Sequence, residues 1–407
     1  MARGRRFRHD RSVSSGQPIY LDNAATTRPG RAVLDHMADT AWRLFGNPSS
    51  GHAFGPPAKR ALEDAREFLR GSLGAARLVF TSGGSEADQL GVVGAAATRA
   101  PGRVLMAKSD HPALLQCEHL LTRHRHRVAV LPVTPDGDIA PETLFDALGK
   151  DVRVVALMYG HNELGTLCQL RELVELTRRT SPDAHVHVDL VQTYGKVPFD
   201  LDEFDVDSVA VSGHKFHGPR GAGFLALSST ADVAPLQLAG GQEGGLRGGT
   251  ENVAGAVGLA IAAEHALTHQ AGTAAHTAAL ADRVFAAVRR ALPRAERLGH
   301  PERRLPHILS LRLPGVVGET LMLRCDARGL AFSTGSACHS AQPDKAPVNH
   351  VLAAIGMDRK QAREVVRLSF CGDNTTAEAD AAAELLIDEA LRLCAAAPSA
   401  AGEESAR

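Results

Sequence analysis

The stretch SGHKFHGPRGAG, residues 212–223, begins where the apolar run SVAVS, residues 208–212, ends. A single lysine, Lys215, lies among glycines just past this predicted strand, and the small neighbours let a ligand approach the backbone closely. A lysine that bonds covalently to a carbonyl group needs its charge suppressed by burial or by neighbouring cations. The stretch therefore indicates a chemically active lysine at a strand end; the alternative interpretation is an exposed loop lysine.

Apolar, β-branched runs alternate with helical patterns over the first two thirds of the chain. Helices are predicted over 112–124, 169–179 and 252–268, and strands over 77–80, 103–107, 152–159, 186–190, 208–212 and 223–228. Strands that alternate with helices predict an α/β fold with a mostly parallel central sheet and helices on both faces. The strands are apolar along their length, which is typical of buried parallel strands.

The pattern changes near residue 260. Predicted strands over 307–314 and 364–370 and a final helix over 377–396 indicate a smaller C-terminal α+β domain. We therefore predict a disordered basic tail (1–18), a large ligand-binding domain (19–260), a small domain (261–396) and a second disordered tail (397–407).

Composition excludes several classes of protein. The net charge is −1 over 407 residues, so no global field attracts nucleic acid or a membrane surface, and no apolar run is long enough to span a bilayer. The six cysteines contain no CxxC pair, which predicts reduced thiols, no metal site and a cytoplasmic location. The arginine-rich N-terminus lacks the apolar segment of a secretory signal; it reads as a disordered tail or a transit peptide.

Polar residues stand where the predicted strands end. Ser85, His111, Asn162, Asp189 and Lys215 each follow or end a different strand. Ligands of open α/β sheets bind outside the carboxyl ends of the strands, so these side chains are predicted to face one crevice.

Each of these groups has a chemical task and a structural alternative. Gly84 and Ser85 begin a predicted helix whose free N–H groups suit a phosphate, although Ser85 could simply cap that helix. Asp189 suits a protonated ring nitrogen, or is a buried acid satisfied by the backbone. His111 suits stacking on a planar ring, or is an ordinary loop histidine.

Eight ordered motifs, considered together, resemble a known family: YLDNAATTRP (20–29), GNPSSGH (46–52), FTSGGSEADQL (80–90), HNELGTLCQ (161–169), HVDLVQTYGK (187–196), SGHKFHGPRGAG (212–223), GGQEGGLRGGTEN (240–252) and STGSACHSA (333–341). The chain is similar to pyridoxal 5'-phosphate (PLP) enzymes of the class V aminotransferase group, and within it to the cysteine desulfurases and selenocysteine lyase. The resemblance implies a PLP-dependent transferase of fold type I that forms a homodimer.

The resemblance also implies residue roles. Lys215, Cys338 and His111 would be catalytic: Lys215 would bond to PLP and move protons, His111 would stack on the ring, and Cys338 would take up sulfur. Asn162 and Arg367 would bind the substrate carboxylate. The PLP-binding residues would be Gly84, Ser85, His111, Asn162, Asp189, Gln192, Ser212, His214, Lys215 and, from the partner subunit, the counterpart of Thr250.

The implied reaction converts L-cysteine to L-alanine and leaves a persulfide on Cys338, from which an acceptor protein or thiol takes the sulfur. The runner-up is selenocysteine lyase, which releases selenide from L-selenocysteine. Another PLP-dependent aminotransferase or lyase reaction and a non-catalytic scaffold are further alternatives. The sequence does not identify the acceptor, so iron–sulfur assembly, RNA thiolation and selenium recycling all stay open.

The chain departs from the family pattern at several positions. His161 replaces a common asparagine, and Leu190 and Val191 replace smaller residues next to Asp189. Asp110 replaces a glutamate, and Asp373 stands where many members carry arginine. These departures leave the core motif groups intact and bear on substrate and partner preference.

Overall fold

The computed structural model describes residues 18–335 and 348–396. Both predicted tails (except Pro18) and the loop that carries Cys338 lie outside the described residues. Within the described ranges, no helix is long and apolar enough to cross a membrane.

The central sheet is mostly parallel, as the sequence predicts. The strands are β1 (Ile19–Tyr20), β2 (Arg77–Thr81), β3 (Arg103–Ala107), β4 (Arg127–Leu131), β5 (Val152–Met158), β6 (His185–Asp189), β7 (Ser208–Ser212), β8 (Gly223–Leu227), β9 (Glu296–Arg297), β10 (Ile308–Arg312), β11 (Leu330–Ala331), β12 (Ser333–Thr334) and β13 (Val365–Ser369). The central sheet has the order β2-β8-β7-β6-β5-β3-β4. Strands β7, β6, β5, β3 and β4 run parallel, and β8 is antiparallel to both of its neighbours. The connection from β7 to β8 is too short for a crossover, so β8 reverses direction.

Helices surround this sheet and form most of the C-terminal part. They are α1 (Arg31–Arg43), α2 (Gly55–Gly71), α3 (Gly84–Gln89), α4 (Ala95–Ala97), α5 (Pro112–Leu115), α6 (Glu118–Arg123), α7 (Pro141–Ala147), α8 (Leu170–Thr180), α9 (Val253–Thr268), α10 (Gln270–Ala291), α11 (Gly318–Asp326), α12 (His350–Ala354), α13 (Arg359–Arg363) and α14 (Thr376–Ala396), with a π-helical segment, Leu90–Gly94, joining α3 to α4. The prediction of a single helix over 112–124 is wrong, because α5 and α6 are separate helices. The backbone N–H of Cys117 bonds to the oxygen of Leu114, a tight turn that separates α5 from α6.

Both faces of the central sheet are buried. Along β5, Val155 and Leu157 belong to one apolar cluster, and Val154 and Ala156 belong to the cluster on the opposite face. Successive side chains of a strand point to opposite faces, so a strand buried on both sides is expected to be mostly apolar. This explains the continuous apolar runs of the sequence and confirms the prediction of helices on both faces.

A second apolar core lies in the C-terminal part. It surrounds an antiparallel sheet of order β12-β13-β10-β9, and α10 packs against α14. The N-terminal segment joins this core, because β1 pairs with β11 and Leu21 is buried there. The change of core occurs at His269: Ala263 of α9 packs in the first core, and Leu280 of α10 in the second. The predicted division between residues 260 and 261 stays a prediction.

Candidate active site

A pocket of about 270 Å³ opens at the carboxyl ends of β5, β6 and β7. Its lining includes every predicted cofactor-binding residue except Thr250. The lining residues are Gly84, Ser85, Asp88, His111, Met158, Gly160, Asn162, Asp189, Val191, Gln192, Ser212, His214 and Lys215. The convergence of strand ends thus brings together side chains that are far apart in the sequence.

The N-terminus of α3 forms one wall of the pocket. Gly83, with φ of 153°, precedes the helix in a conformation that glycine adopts readily. The Ser82 N–H donates to Glu86 Oε2 at 2.6 Å, and Arg247 holds the same carboxylate through Oε1. The first N–H groups of a helix lack intrahelical partners and carry partial positive charge. Gly84 and Ser85 therefore present an anion-binding surface to the pocket.

The fit between Gly84 and Val191 leaves no room for a larger residue. A Cβ atom at position 84 would lie 2.6 Å from Val191 Cγ2 and 3.4 Å from Ser212 Cβ. Val191 is one of the bulky departures from the family pattern noted in the sequence. Glycine at position 84 accommodates that bulk and keeps the helix N-terminus next to the pocket.

We expect Gly84→Ala to weaken anion binding in this pocket, because the added methyl group collides with Val191. Overpacking of this kind costs about 1–3 kcal/mol. The measurement is the Kd for PLP, by fluorescence titration, together with the melting temperature. The double variant with Val191→Ala should restore both; if it binds PLP no better than Gly84→Ala alone, steric conflict is not the cause.

Asp189 ends β6 at the floor of the pocket. It is buried, and its Oδ1 accepts a hydrogen bond from the Val191 N–H at 2.7 Å. Burial, with a further contribution from the Asp88 carboxyl group, raises the pKa of Asp189 to about 8. A cation bound in the pocket would favour the carboxylate form, since opposite charges lower the pKa of an acid.

A buried polar chain lies behind Asp189 and is absent from the sequence predictions. Asp88 Oδ1 lies 3.2 Å from His187 Nε2, and His187 Nδ1 lies 2.8 Å from Ser208 Oγ. His185 Nε2 contacts the same hydroxyl at 2.7 Å. Burial holds the pKa of His187 near 4 and raises that of Asp88 to about 8. Both histidines are completely buried, and neither lines the pocket.

Lys215 follows β7 in a 3₁₀ turn, Gly213–Lys215. Its Nζ donates to the backbone oxygens of Ala24 and Ala25 at 2.7 and 2.8 Å. Burial, followed by the positive charge of Arg367, lowers the Lys215 pKa to about 8. More of this amine is therefore uncharged at neutral pH than in an ordinary lysine, which favours its action as a nucleophile.

His111 caps α5 and faces the pocket. Its Nδ1 accepts a hydrogen bond from the Ala113 N–H at 3.1 Å, which places the ring proton on Nε2. Desolvation of the ring by the surrounding protein lowers the His111 pKa to about 4, and the charges of Lys215 and His350 contribute further. The pocket thus contains a neutral imidazole ring, suited to stacking.

The N-terminal segment 24–27 supports several pocket side chains from behind. Gln192 Nε2 donates to the Ala24 oxygen at 2.9 Å, and His214 Nδ1 lies 3.1 Å from Thr26 Oγ1. The Thr27 hydroxyl donates to the His214 backbone oxygen at 3.0 Å. These bonds fix the Gln192 and His214 side chains at the pocket wall.

Arg367 of β13 lies next to the pocket without lining it. Its guanidinium group contacts Asp22 Oδ1 and Glu163 Oε1, each at 3.0 Å, and the Asn162 backbone oxygen at 3.0 Å. Its buried Nε has no hydrogen-bond partner among the described residues. The two carboxylates were missed in the sequence analysis, although both lie inside quoted motifs. A guanidinium group beside the pocket suits an anionic group of a ligand.

Two departures from the family pattern have structural roles. His161 is buried, its Nδ1 accepts from the Glu163 and Leu164 N–H groups, and its Nε2 lies 3.1 Å from the Ser109 oxygen. It therefore shapes the turn that presents Asn162. Asp110 is buried and its Oδ2 accepts from the Ala107 N–H at 2.8 Å, which holds the loop before His111.

Thr250 is exposed and lies away from the pocket lining, and Cys338 lies outside the described residues. The roles assigned to both residues stay predictions.

The family model for class V aminotransferases matches residues 19–382. The chain belongs to this family. Among curated proteins it is 35% identical to cysteine desulfurase IscS of Dictyoglomus turgidum, over 88% of this chain and 91% of that protein. It is 36% identical to a putative cysteine desulfurase, IscS 1, of Bacillus subtilis, over 92% of this chain and 99% of that one. Within the family, the chain groups with the cysteine desulfurases.

Solved structures agree with the fold of this class V aminotransferase family member. A NifS-like protein superposes with a TM-score of 0.84 at 32% identity, covering 91% of this chain and 99% of that one. DndA from Streptomyces lividans gives a TM-score of 0.72 at 33% identity, covering 87% and 100%. The predicted fold, a PLP-dependent transferase of fold type I, is confirmed.

Proposed function

We propose that this enzyme is a PLP-dependent cysteine desulfurase that converts L-cysteine to L-alanine and transfers the sulfur to its own cysteine. The observation that carries the proposal is one pocket that combines a helix N-terminus, the buried Asp189 carboxyl group and the Lys215 amine, whose pKa is lowered to about 8. Membership of the class V aminotransferase family and the relatedness to cysteine desulfurases support it.

The pocket fits the parts of PLP. The α3 N-terminus at Gly84 and Ser85, with Ser212 and His214 opposite, would hold the phosphate; the partner subunit's Thr250 would complete this site. Asp189 would hold the ring nitrogen, and the neutral His111 would stack on the ring.

Asn162 and Gln192 line the pocket where they would address the ring hydroxyl group. When bound, PLP supplies an electron sink for the charge that develops at the substrate α-carbon. The requirement for a carboxylate at position 189 follows from this task, because a carboxylate keeps the ring nitrogen protonated.

The residues of the chain then bind substrate and move its protons. Arg367 would receive the substrate carboxylate beside the pocket, and Asn162 would add a polar contact on the same side. Lys215 would remove the proton at the substrate α-carbon and return it later, a task matched to an amine whose pKa lies near neutrality.

Cys338 would perform the sulfur transfer. Its thiolate attacks the substrate sulfur, a new S–S bond forms and the Cβ–S bond breaks. The electron pair of the broken bond stays with the substrate carbon and becomes a C–H bond of alanine. L-cysteine and the Cys338 thiol thus become L-alanine and a Cys338 persulfide, from which an acceptor protein or thiol takes the outer sulfur.

The proposal includes a homodimer and a cytoplasmic location. Thr250 is exposed on the single chain, as a residue that reaches a partner's pocket would be. The neutral overall charge and the absence of a membrane-crossing helix among the described residues support partners that are neither nucleic acids nor membranes.

We expect purified protein to release alanine and, with a thiol reductant, sulfide from L-cysteine. Cys338→Ala should lower that rate by roughly 10³-fold or more, because loss of a nucleophile removes a covalent step. Parallel assays that follow alanine and sulfide, or selenide from L-selenocysteine, provide the measurement.

Cys394→Ala, at an exposed cysteine, is the matched control and should keep the wild-type rate. Release from selenocysteine alone would replace the proposal with a selenocysteine lyase. Full activity of Cys338→Ala on cysteine would indicate a lyase without a persulfide, and no alanine from either substrate would reject both reactions.

A further inference from the structure

A second cavity, of about 620 Å³, lies beside the segment that carries Lys215. His217, Cys371 and Asp373 are among the residues that line it. One nitrogen, one sulfur and one oxygen atom of these three side chains all lie within 4.8 Å of one another. His217 follows β7 of the central sheet, whereas Cys371 and Asp373 follow β13 of the C-terminal sheet. The cluster therefore joins the two parts of the molecule.

The His217 ring is held by a hydrogen bond at one of its two nitrogen atoms. Its Nδ1 lies 2.9 Å from the Arg28 backbone oxygen. A carbonyl oxygen only accepts, so Nδ1 carries the proton and Nε2 keeps its free electron pair. Metal-bound histidines commonly donate their second ring N–H to a carbonyl in this way.

The His217 backbone is strained and firmly anchored. Its φ of 66° is unusual for a histidine, and its N–H donates to Thr27 Oγ1 at 2.7 Å. Its carbonyl oxygen accepts from the Gly30 N–H at 2.9 Å. Such outliers persist where the surroundings fix them, and they concentrate at functional sites.

A tight turn brings the other two groups together. The Cys371 N–H donates to Asn374 Oδ1 at 2.9 Å, and the Asn374 N–H donates to the Cys371 oxygen at 3.1 Å. His276 of α10 fixes the turn from outside through the Asn374 oxygen, at 2.7 Å. Cys371 is a free, half-buried thiol, and Asp373 is exposed, so the carboxylate is free to rotate toward an ion.

We propose that His217, Cys371 and Asp373 bind one Zn²⁺ ion per chain. Imidazole, thiolate and carboxylate are the ligands that Zn²⁺ uses, at about 2.0–2.3 Å, whereas Mg²⁺ and Ca²⁺ prefer oxygen. A thiolate and a carboxylate balance the charge of the ion. Three protein ligands leave the fourth position for water or a small thiol from the cavity.

The site shares no residue with those assigned to the proposed reaction, and it differs from the sequence analysis, which predicts no metal site. Spacing rules look for ligands close together in the chain, and these three come from separate segments. Bound Zn²⁺ would link the segment that follows Lys215 to the segment that follows β13. Arg367 lies in β13 itself. Metal binding should therefore stabilise the folded protein, since a ligand that binds only the native state raises its stability.

The test uses tag-free holoenzyme in a Cys338→Ser background, which removes the thiol of the loop outside the described residues. Zn²⁺ is titrated against a chromogenic chelator, and the expected result is one Zn²⁺ per chain with a raised melting temperature. Asp373→Asn and His217→Gln should each weaken binding by at least about 10–100-fold, the effect of losing even an outer-shell partner.

Co²⁺ provides a direct report on the sulfur ligand. It should give visible bands of tetrahedral geometry and a thiolate charge-transfer band that disappears in Cys371→Ser, while Cys394→Ser, at an exposed cysteine, leaves the spectrum unchanged. The melting temperature of each metal-free variant checks that it folds. No stoichiometric Zn²⁺ binding, or binding unchanged by Asp373→Asn and His217→Gln, would overturn the proposal.

Discussion

Lys215→Ala should lower kcat/KM for L-cysteine by about 10³–10⁴-fold and abolish covalent attachment of PLP. General acid–base groups contribute about 10²–10⁴-fold, and this variant also loses the covalent anchor. The physical basis is the lowered pKa of the Lys215 amine. Burial and the positive charge of Arg367 together lower that pKa to about 8. Borohydride reduction followed by mass spectrometry measures the attachment, and alanine formation measures the rate.

Lys196 provides the control, because it is half-buried and its Nζ donates to the backbone oxygen of Gln192, a pocket residue, at 3.3 Å. Burial, followed by the charge of Lys215, lowers the Lys196 pKa to about 7, so its amine is also nucleophilic near neutral pH. If Lys215→Ala protein still gains the mass of reduced PLP and a further Lys196→Ala change removes it, the assignment of Lys215 is wrong.

Arg367→Lys should lower kcat/KM by roughly 10²–10³-fold, mainly through KM. The guanidinium group contacts Asp22 and Glu163 while its buried Nε is unpaired, an arrangement that one ammonium group cannot reproduce. Each hydrogen bond to a charged group contributes about 1.5–3 kcal/mol, and the single ammonium group of lysine cannot keep all of those that the guanidinium group makes. Steady-state kinetics with L-cysteine provide the measurement, and an unchanged KM would contradict the role in carboxylate binding.

The variant Arg367→Gln tests, through the pH dependence of kcat, whether the charge of Arg367 acts on Lys215. The positive charge of Arg367 lowers the Lys215 pKa, so its removal raises that pKa and leaves less neutral amine at a given pH. The rise of kcat with pH should therefore move to higher pH in Arg367→Gln and not in Arg367→Lys, which keeps the charge. Identical pH profiles for the two variants would show that the charge does not act on Lys215.

The central sheet and the pocket could be predicted because their signals are local. Strands buried on both faces are mostly apolar, and their ends mark the edge where ligands bind. The helix α2 also had a readable signal that was missed: Pro56 and Pro57 at its start, followed by buried residues at helical spacing, among them Leu62 and Leu69.

Other parts of the site depend on contacts between distant segments. The sequence showed that Val191 is bulky, but only the structure shows that Gly84 makes room for it. Arg367 pairs with Asp22 and Glu163, which are both far from it in the chain. Rules based on the spacing of residues along the sequence therefore cannot predict these ion pairs. The same holds for the His217 cluster, whose three ligands meet only in the folded chain.

The position of β1 in the C-terminal core sets an order of events during synthesis. The residues around Leu21 leave the ribosome early, but β11 and the rest of their core emerge only when most of the chain has been made. The central sheet can fold first, and the pocket at its strand ends can form at the same time. Asp22 can meet Arg367 only after β13 has been made, so a chain that ends before β13 has the pocket residues without the arginine proposed to receive substrate.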